Sequence, residues 1–409
     1  MMKRYFLIVV FVIAGLSVSA QQDSVLRYSF IIQDSPSVLF TMRQFNQNYL
    51  SGYRLFAREL NHVAKDEHIS DLVQLGLQVL FLAPLTHEEG HRSVLTALNI
   101  GSVSQPYFNS QGTAYVKGVT DQTLQNLRDN DLPTFIRLHG AGLESDYLIT
   151  KKLEETGSFG FDQFTDYKWE YWSRKLSILQ YYVFGIAGYE ADYKEEANEL
   201  DRDIVGFDTY GAVRHLFRPH MEYYRYTSYD QLTLDEKNFV NRMGYRSLLN
   251  LINPLILGKN GFLLSDNIKL NAGMGYTMAP FGDFIDENFW LTIKNLNVEL
   301  YLRQFQNRTN WFNGFGAALI NFPVTSRLYA DIYGHFWQQP AGLDFNTSDH
   351  LNGGAVDMNL RYFFYNRRNV FLKGFSLDLG GIYKTQGFLP GELFLGKHAG
   401  FRFGTSVLL

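Results

Sequence analysis

Cysteine is absent from this chain of 409 residues. Disulfides and thiolate ligands are therefore excluded, and any metal site must draw on His, Asp or Glu. An excess of either charge is lacking too. The formal net charge is −4 and the pI about 6.2, which leaves no electrostatic footprint for nucleic acid. No internal repeat or low-complexity segment stands out, so nothing suggests a solenoid or a disordered array. The apolar run Phe6–Leu16 is too short for a comfortable membrane span. It follows Lys3 and Arg4 and leads into the small residues Ser17-Val18-Ser19-Ala20, the pattern of a secretory signal cleaved before Gln21. With no cysteine there, lipoprotein anchoring through that end is excluded.

What is present divides into two regions after the signal peptide (residues 1–20). Residues 21–260 carry mostly helical periodicity, around 40–65, 69–98, 121–155, 167–187 and 190–217, with a further piece at 239–257 broken by Pro254. A glycine-bearing stretch at 101–119 reads as a hairpin. From about residue 265 the period becomes two. Ile268, Leu270, Ala272 and Met274 alternate with Lys269, Asn271, Gly273 and Gly275, and Leu296, Val298, Leu300 and Leu302 alternate with Asn297, Glu299, Tyr301 and Arg303. About seven such strands of roughly 9 to 13 residues fit residues 261–409. An eighth is expected at 219–229 or near 261–265, because bacterial outer-membrane barrels have even strand numbers. Phe, Tyr and Trp number 34, 26 and 5, an excess that suits interfacial aromatic girdles. A soluble antiparallel sheet with one buried face gives the same alternation. The expected class is α+β: a mainly α-helical region followed by an antiparallel β region, read as an outer-membrane β-barrel.

His87-Glu88-Glu89-Gly90-His91 spells His-Glu-x-x-His. Residues four apart share a helix face, so two imidazoles can hold one Zn²⁺ from the same side. Glu88 then lies beside the metal as a base for water. Apolar residues on both sides (Leu75, Leu77, Val79, Leu80, Phe81; Val94, Leu95, Leu98) place the motif on a buried helix. Gly90 allows another backbone to come close. Pro84 predicts a kink, or a restart at Thr86, whose spacing to Glu89 is that of a capping box. The bland alternative is a charged helix turn with two incidental histidines.

A catalytic zinc takes three protein ligands and an open position. Glu144 follows the small residues Gly140-Ala141-Gly142, which let its helix pack against the motif helix. The segment resembles the Gly-Ala-x-x-Glu stretch of thermolysin-like proteases. It departs from that pattern in that the partner, Asp146, is two residues on rather than four. Glu199 and Asp203 are four apart and resemble the Glu-x-x-x-Asp ligand helix of prenyl-endopeptidase-type membrane zinc proteases, with Gly206 matching a glycine seven after the glutamate. The stretch is also similar to the Asn-Asp-Ile segment of ATP-dependent membrane zinc proteases. That resemblance implies Asp203 or Glu199 as ligand and a packing role for Glu144. The alternative for the acidic run 190–203 is a solvated helix face. The three carboxylates remain open, and no family claims the whole chain. The other histidines (His62, His68, His139, His215, His220) lack ligand spacing and are expected as hydrogen-bonded structure.

The expectation is an exported zinc metallopeptidase of the cell envelope. It sits in the outer membrane with a periplasm-facing domain, or else is soluble in the periplasm. Its partners are a peptide or protein substrate and outer-membrane lipid. The rival is a non-catalytic outer-membrane barrel, a channel or assembly partner, with a structural or vestigial metal site. A third reading makes Leu72–Leu85 lipid-exposed. That stretch is short for a span and its flanks do not look like membrane boundaries, which places it behind the other two.

Overall fold

The computed structural model describes residues 26–34, 41–64, 66–107, 114–190, 195–366 and 372–409. The expected signal peptide lies outside them. The helices are α1 (Met42–Val63), α2 (Glu67–Leu77), α3 (Ala83–Ala97), α4 (Asp121–Asn130), α5 (Leu132–Ser158), α6 (Lys168–Ile186), α7 (Asp208–Phe217) and α8 (Leu234–Ser247). Local chemistry sets their starts. Thr41, Asp66, Thr120 and Asp131 each accept a backbone N–H from the first turn of the helix that follows, and Thr233 with Glu236 forms a full capping box. Each such cap stabilises by about 1 kcal/mol.

Pro84 neither breaks nor restarts the motif helix. α2 runs into α3 through a π-helical turn, Gln78–Leu82, just upstream of the proline. Thr86 donates its hydroxyl back to Leu82 O and Ala83 O rather than capping a new helix. The expected helix 190–217 is a second departure. Among the described residues of that range, only Asp208–Phe217 is α-helical, and Glu199–Asp201 is a single 3-10 turn. The expected hairpin at 101–119 pairs β2 (Val103–Gln105) with β3 (Tyr115–Lys117).

The remaining strands form one ten-stranded antiparallel sheet in the order β1-β12-β11-β10-β9-β8-β7-β6-β5-β4. They are β1 (Arg27–Asp34), β4 (Phe262–Ser265), β5 (Ile268–Ala279), β6 (Gly282–Ile293), β7 (Leu296–Gln306), β8 (Trp311–Pro323), β9 (Leu328–Pro340), β10 (His350–Asn366), β11 (Gly374–Lys384) and β12 (His398–Leu408). The class is α+β, and the sheet is open, with β1 and β4 at its edges. The first and last strands pair, Tyr28 opposite Val407. The sheet therefore recruits a strand from the region read as helical, and residue 261 does not separate helices from sheet. The extra strand near 261–265 is β4, and 219–229 holds no strand. β6 escaped the alternation because its inward face mixes Phe284 and Trp290 with Asp286 and Asn288, all buried. Gly282, at φ +148, makes the β5–β6 turn possible, since a Cβ there would meet Gln306 O at 2.1 Å.

On several strands charged side chains are buried among apolar ones while neighbouring apolar side chains are exposed. On β7 the charged Glu299 and Arg303 are buried, while Leu302 between them is 51% exposed. On β10 Arg361 is buried, while Val356, Met358, Tyr362 and Phe364 are exposed. On β11 Ser376, Asp378 and Lys384 face in, while Phe375, Leu379 and Tyr383 face out. Three inward arginines are paired, Arg303 with Asp286, Arg361 with Asp331 and Arg402 with Asp357, while Lys384 donates to backbone carbonyls and Asp378 accepts from Ser376 and Ser406. α5 packs on β5 and β6, where Tyr147 donates to Asp286 and Lys151 pairs with Glu299 at 3.1 Å.

Helices occupy the open side. α1 packs on β1, and the 3-10 turns Leu248–Leu251 and Pro254–Leu257 pack on β5. A cluster of Leu50, Tyr53 and Ala57 (α1), Ile149 and Leu153 (α5), Tyr167 just before α6, Tyr171 (α6) and Leu255 joins these two ends.

Candidate metal centre

The motif helix and α5 meet at glycine. A Cβ on Gly90 would lie 2.4 Å from Ala141 O, and one on Gly142 would lie 2.3 Å from His87 Nε2. The small residues of Gly140-Ala141-Gly142 thus bring α5 against α3, as their size predicts. What they deliver to the histidine is Asp146. Its Oδ2 lies 2.9 Å from His87 Nδ1, and its Oδ1 accepts from Arg174 at 2.7 Å. His91 Nδ1 meets Leu138 O at 2.7 Å. Tyr181 of α6 stacks on the His87 ring at 4.9 Å.

With both Nδ1 atoms tied back, both Nε2 atoms turn to Asp208, at the first turn of α7. Its Oδ2 is 3.1 Å from His87 Nε2 and 3.5 Å from His91 Nε2. One ligand atom from each of His87, His91 and Asp208 lies within 4.8 Å of the other two, and all three residues are buried. The Asp208 carboxyl is held well below the usual carboxylate range. Burial pushes it up, but the adjacent His91 and His87 outweigh that.

The three expected third ligands are elsewhere. Glu144 is held by Arg137 at 2.7 Å and by the Gly391 N–H at 2.7 Å. Glu199 accepts from Asp121 N at 2.8 Å, on the 3-10 turn. Its supposed helix face with Asp203 does not exist, because the chain there is not helical. Asp203 accepts from Gly206 N at 3.1 Å and lies within electrostatic range of Glu88 and His91 without joining the group. Burial, with the charge of Glu88 adding, pushes its carboxyl up to about 8. Glu88 is 5% exposed beside the histidines. Asp208 carried a sequence signal that went unread. It follows Gly206-Phe207 and opens a helix bearing Gly211 and His215 at helical spacing. His139 and His215 are also not as expected. Their rings lie 6.1 Å apart, and neither ring nitrogen of His139, nor Nδ1 of His215, has a partner among the described residues. Burial pushes them down to about 3 and about 2, so both are neutral.

The donor set fits a divalent cation. Each histidine has an oxygen acceptor at both ring nitrogens, yet a neutral imidazole carries one proton. A cation between the Nε2 atoms and Asp208 satisfies all of them without two adjacent imidazolium ions. Two imidazoles and a carboxylate are ordinary zinc ligands, and the Asp146 and Leu138 contacts are the outer partners such ligands have.

No family model matches the chain, and no curated protein does. Among solved structures it is similar to the crystal structure of Acinetobacter baumannii OccAB3, at 10% identity and a TM-score of 0.25, over 36% of this chain and 46% of that one. The chain thus spans less than half of that structure's length, and a likeness so loose decides neither fold nor function.

Proposed function

We propose that this chain is a zinc-dependent peptidase of the bacterial cell envelope, set in an outer-membrane β-sheet wall. The observation that carries the catalytic reading is the convergence of His87 and His91 Nε2 on Asp208, with Glu88 next to the first histidine. His87, His91 and Asp208 would hold the ion. When bound, zinc supplies Lewis-acid polarisation of a carbonyl and a lowered pKa for water. Glu88 accepts the proton of the attacking water and returns it to the leaving amine. Asp146 and Leu138 O fix both rings with their Nε2 lone pairs toward the site. The membrane placement is supported by the strands on which charged side chains are buried and neighbouring apolar ones exposed, the arrangement of a lipid-facing strand wall.

A second reading, a non-catalytic outer-membrane protein, is favoured by a separate cavity. About 760 Å³ of space lies between α1, α5 and the strands, lined by Arg27, Lys151, Asp331, Arg361 and Arg402 but by none of His87, Glu88, His91 or Asp208. The test is metal content of the full chain purified in detergent. The expected result is about one zinc per chain. It should be lost in Asp208→Ala and His91→Ala and kept in Glu144→Gln and Glu88→Gln, with peptide hydrolysis abolished in Glu88→Gln. A well-folded wild type without zinc overturns the peptidase and leaves the second reading. Zinc with turnover unchanged in Glu88→Gln removes Glu88 as the base.

A further inference from the structure

The burial of polar side chains beside exposed apolar ones extends to the helices that fill the open side of the sheet. On α2 and the π turn the buried residues are polar: Ser70, Gln74 and Gln78, each no more than 1% exposed. Asn61 and Gln74 interlock with Ser70, Tyr53 donates to Gln74, and Tyr49 bonds Gln78. Beyond the first turn, where Glu67 and His68 are exposed, the exposed residues are apolar, among them Ile69, Leu72, Leu77, Val79, Leu80 and Phe81. α6 shows the same inversion over its first half only, since Ile178 and Tyr182 are buried and Gln180 is exposed further along. Glu170, Arg174 and Lys175 are buried and paired, while Leu176 is 64% exposed and Val183 is also exposed. In water such helices would be turned over, polar face out.

The geometry points to a helical panel in contact with lipid acyl chains, formed by α2, the π turn and α6. It bridges the side of the sheet that β1 and β4 leave open. The occupant follows from continuity. α2 packs on α6, α6 packs on the 3-10 turn Leu248–Leu251, and that turn packs on β5. Leu248, Leu251, Ile252, Leu257 and Leu263 are exposed along this path, so the apolar surface of the panel runs into that of the strands. Length agrees. Glu67–Ala97 is a 31-residue helical stretch apolar enough to cross a membrane, with only 28% of its apolar window buried. Ile69–Phe81 covers about 18 Å, against an apolar band of about 25 Å on outer-membrane barrels. Polar groups gather at the start of both helices, where Lys168 pairs with Asp71 and Glu67 and Trp169 donates to Asp71. The stretch Leu72–Leu85 thus does meet lipid on this reading, as one face of a wall. Tyr181 of α6 stacks on His87, which puts the metal centre one helix behind the bilayer.

The inference rests on the strand exterior facing lipid, and the test separates the two. The chain has no cysteine, so single substitutions can carry bimane in the full chain. Helix positions are Leu72→Cys, Leu80→Cys and Leu176→Cys, with Val356→Cys on the strand exterior and Gln122→Cys as the aqueous reference. The chain is reconstituted in phosphatidylcholine vesicles with and without brominated acyl chains, and iodide is the aqueous quencher. The expected result is loss of emission to brominated lipid at the three helix positions equal to that at Val356, with none at Gln122. Quenching at Val356 by lipid but at the helix positions by iodide overturns the panel and leaves the strand wall. Helix positions shielded from both quenchers are covered by protein, a second copy or a partner, which also overturns it. No lipid quenching at Val356 overturns the membrane reading and the panel with it.

Discussion

Gly142→Ala should cripple the metal centre while leaving the fold standing. The new methyl would sit 2.3 Å from His87 Nε2 and 2.5 Å from Cδ2 and Cε1 of the same ring. It therefore fills the space in front of the donor atom that faces Asp208. α5 cannot back away cheaply, because its other side packs on β5 and β6, where Tyr147 bonds Asp286. The ring must turn, and turning strains the 2.9 Å contact of Nδ1 with Asp146. Overpacking of this kind costs about 1–3 kcal/mol. A displaced ligand should lower metal affinity at least as much as loss of an outer partner, about 10–100-fold. Gly140→Ala is the control two residues away, since its Cβ would meet only Met278, at an ordinary 3.5 Å. The assay is competition for zinc with a chromophoric chelator, beside thermal unfolding of the metal-free chain. The expected order is wild type and Gly140→Ala alike, Gly142→Ala far weaker. Equal affinity in all three would refute the claim that α5 sets the His87 ring by direct contact.

Asp146→Asn preserves shape but removes the charge that orients His87, and should weaken zinc binding about 10–100-fold in the same titration. Adjacent residues on β7 should respond oppositely to a change of charge. Arg303→Met leaves Asp286 buried without its guanidinium, and should cost about 3–5 kcal/mol in chemical unfolding from lipid. Leu302→Arg places a charge on the outer face, where it should cost about 2–4 kcal/mol near the bilayer midplane. At a water-exposed site the same change would stay within about 0.5 kcal/mol, so a neutral Leu302→Arg would contradict the membrane placement.

The period-two pattern was enough to find most of the sheet, but not to say which face was inside. Leu300 and Leu302 alternate with Glu299 and Arg303 in either orientation, and only burial shows that the charged set is the enclosed one. β1 was lost because Arg27–Asp34 is a single strand far from its partner, and nothing local announces pairing with residues 402–408. The two histidines and Glu88 were legible because one helix turn fixes their relation. The third member was not, because it comes from another helix and its position depends on how three helices pack. A helical reading of 190–203 then gave Glu199 and Asp203 a shared face that the 3-10 turn at Glu199–Asp201 removes. The small-residue run 140–142 was read correctly as a packing device, and the acid it delivers is Asp146.

Arg174 links the inverted helices to the candidate metal centre. It is fully buried, and its planar fork reaches five groups at once, the longest contact being Nη2 to the Tyr49 hydroxyl at 3.4 Å. Nη2 donates to Leu82 O at 2.9 Å, and Nη1 to Ala83 O at 2.9 Å and to Asp146 at 2.7 Å. Nε donates to Glu170 at 2.7 Å. The two carbonyls belong to the junction between the π turn and α3. Asp146 in turn holds His87. A single guanidinium therefore ties the apolar outer helix to the imidazole behind it, through fixed donors that a lysine could not reproduce. On the proposed membrane placement, charge that would be costly at a lipid face is turned inward, where it holds His87 in place. The same buried guanidinium thus serves the polar interior behind the outer helix and the candidate metal centre.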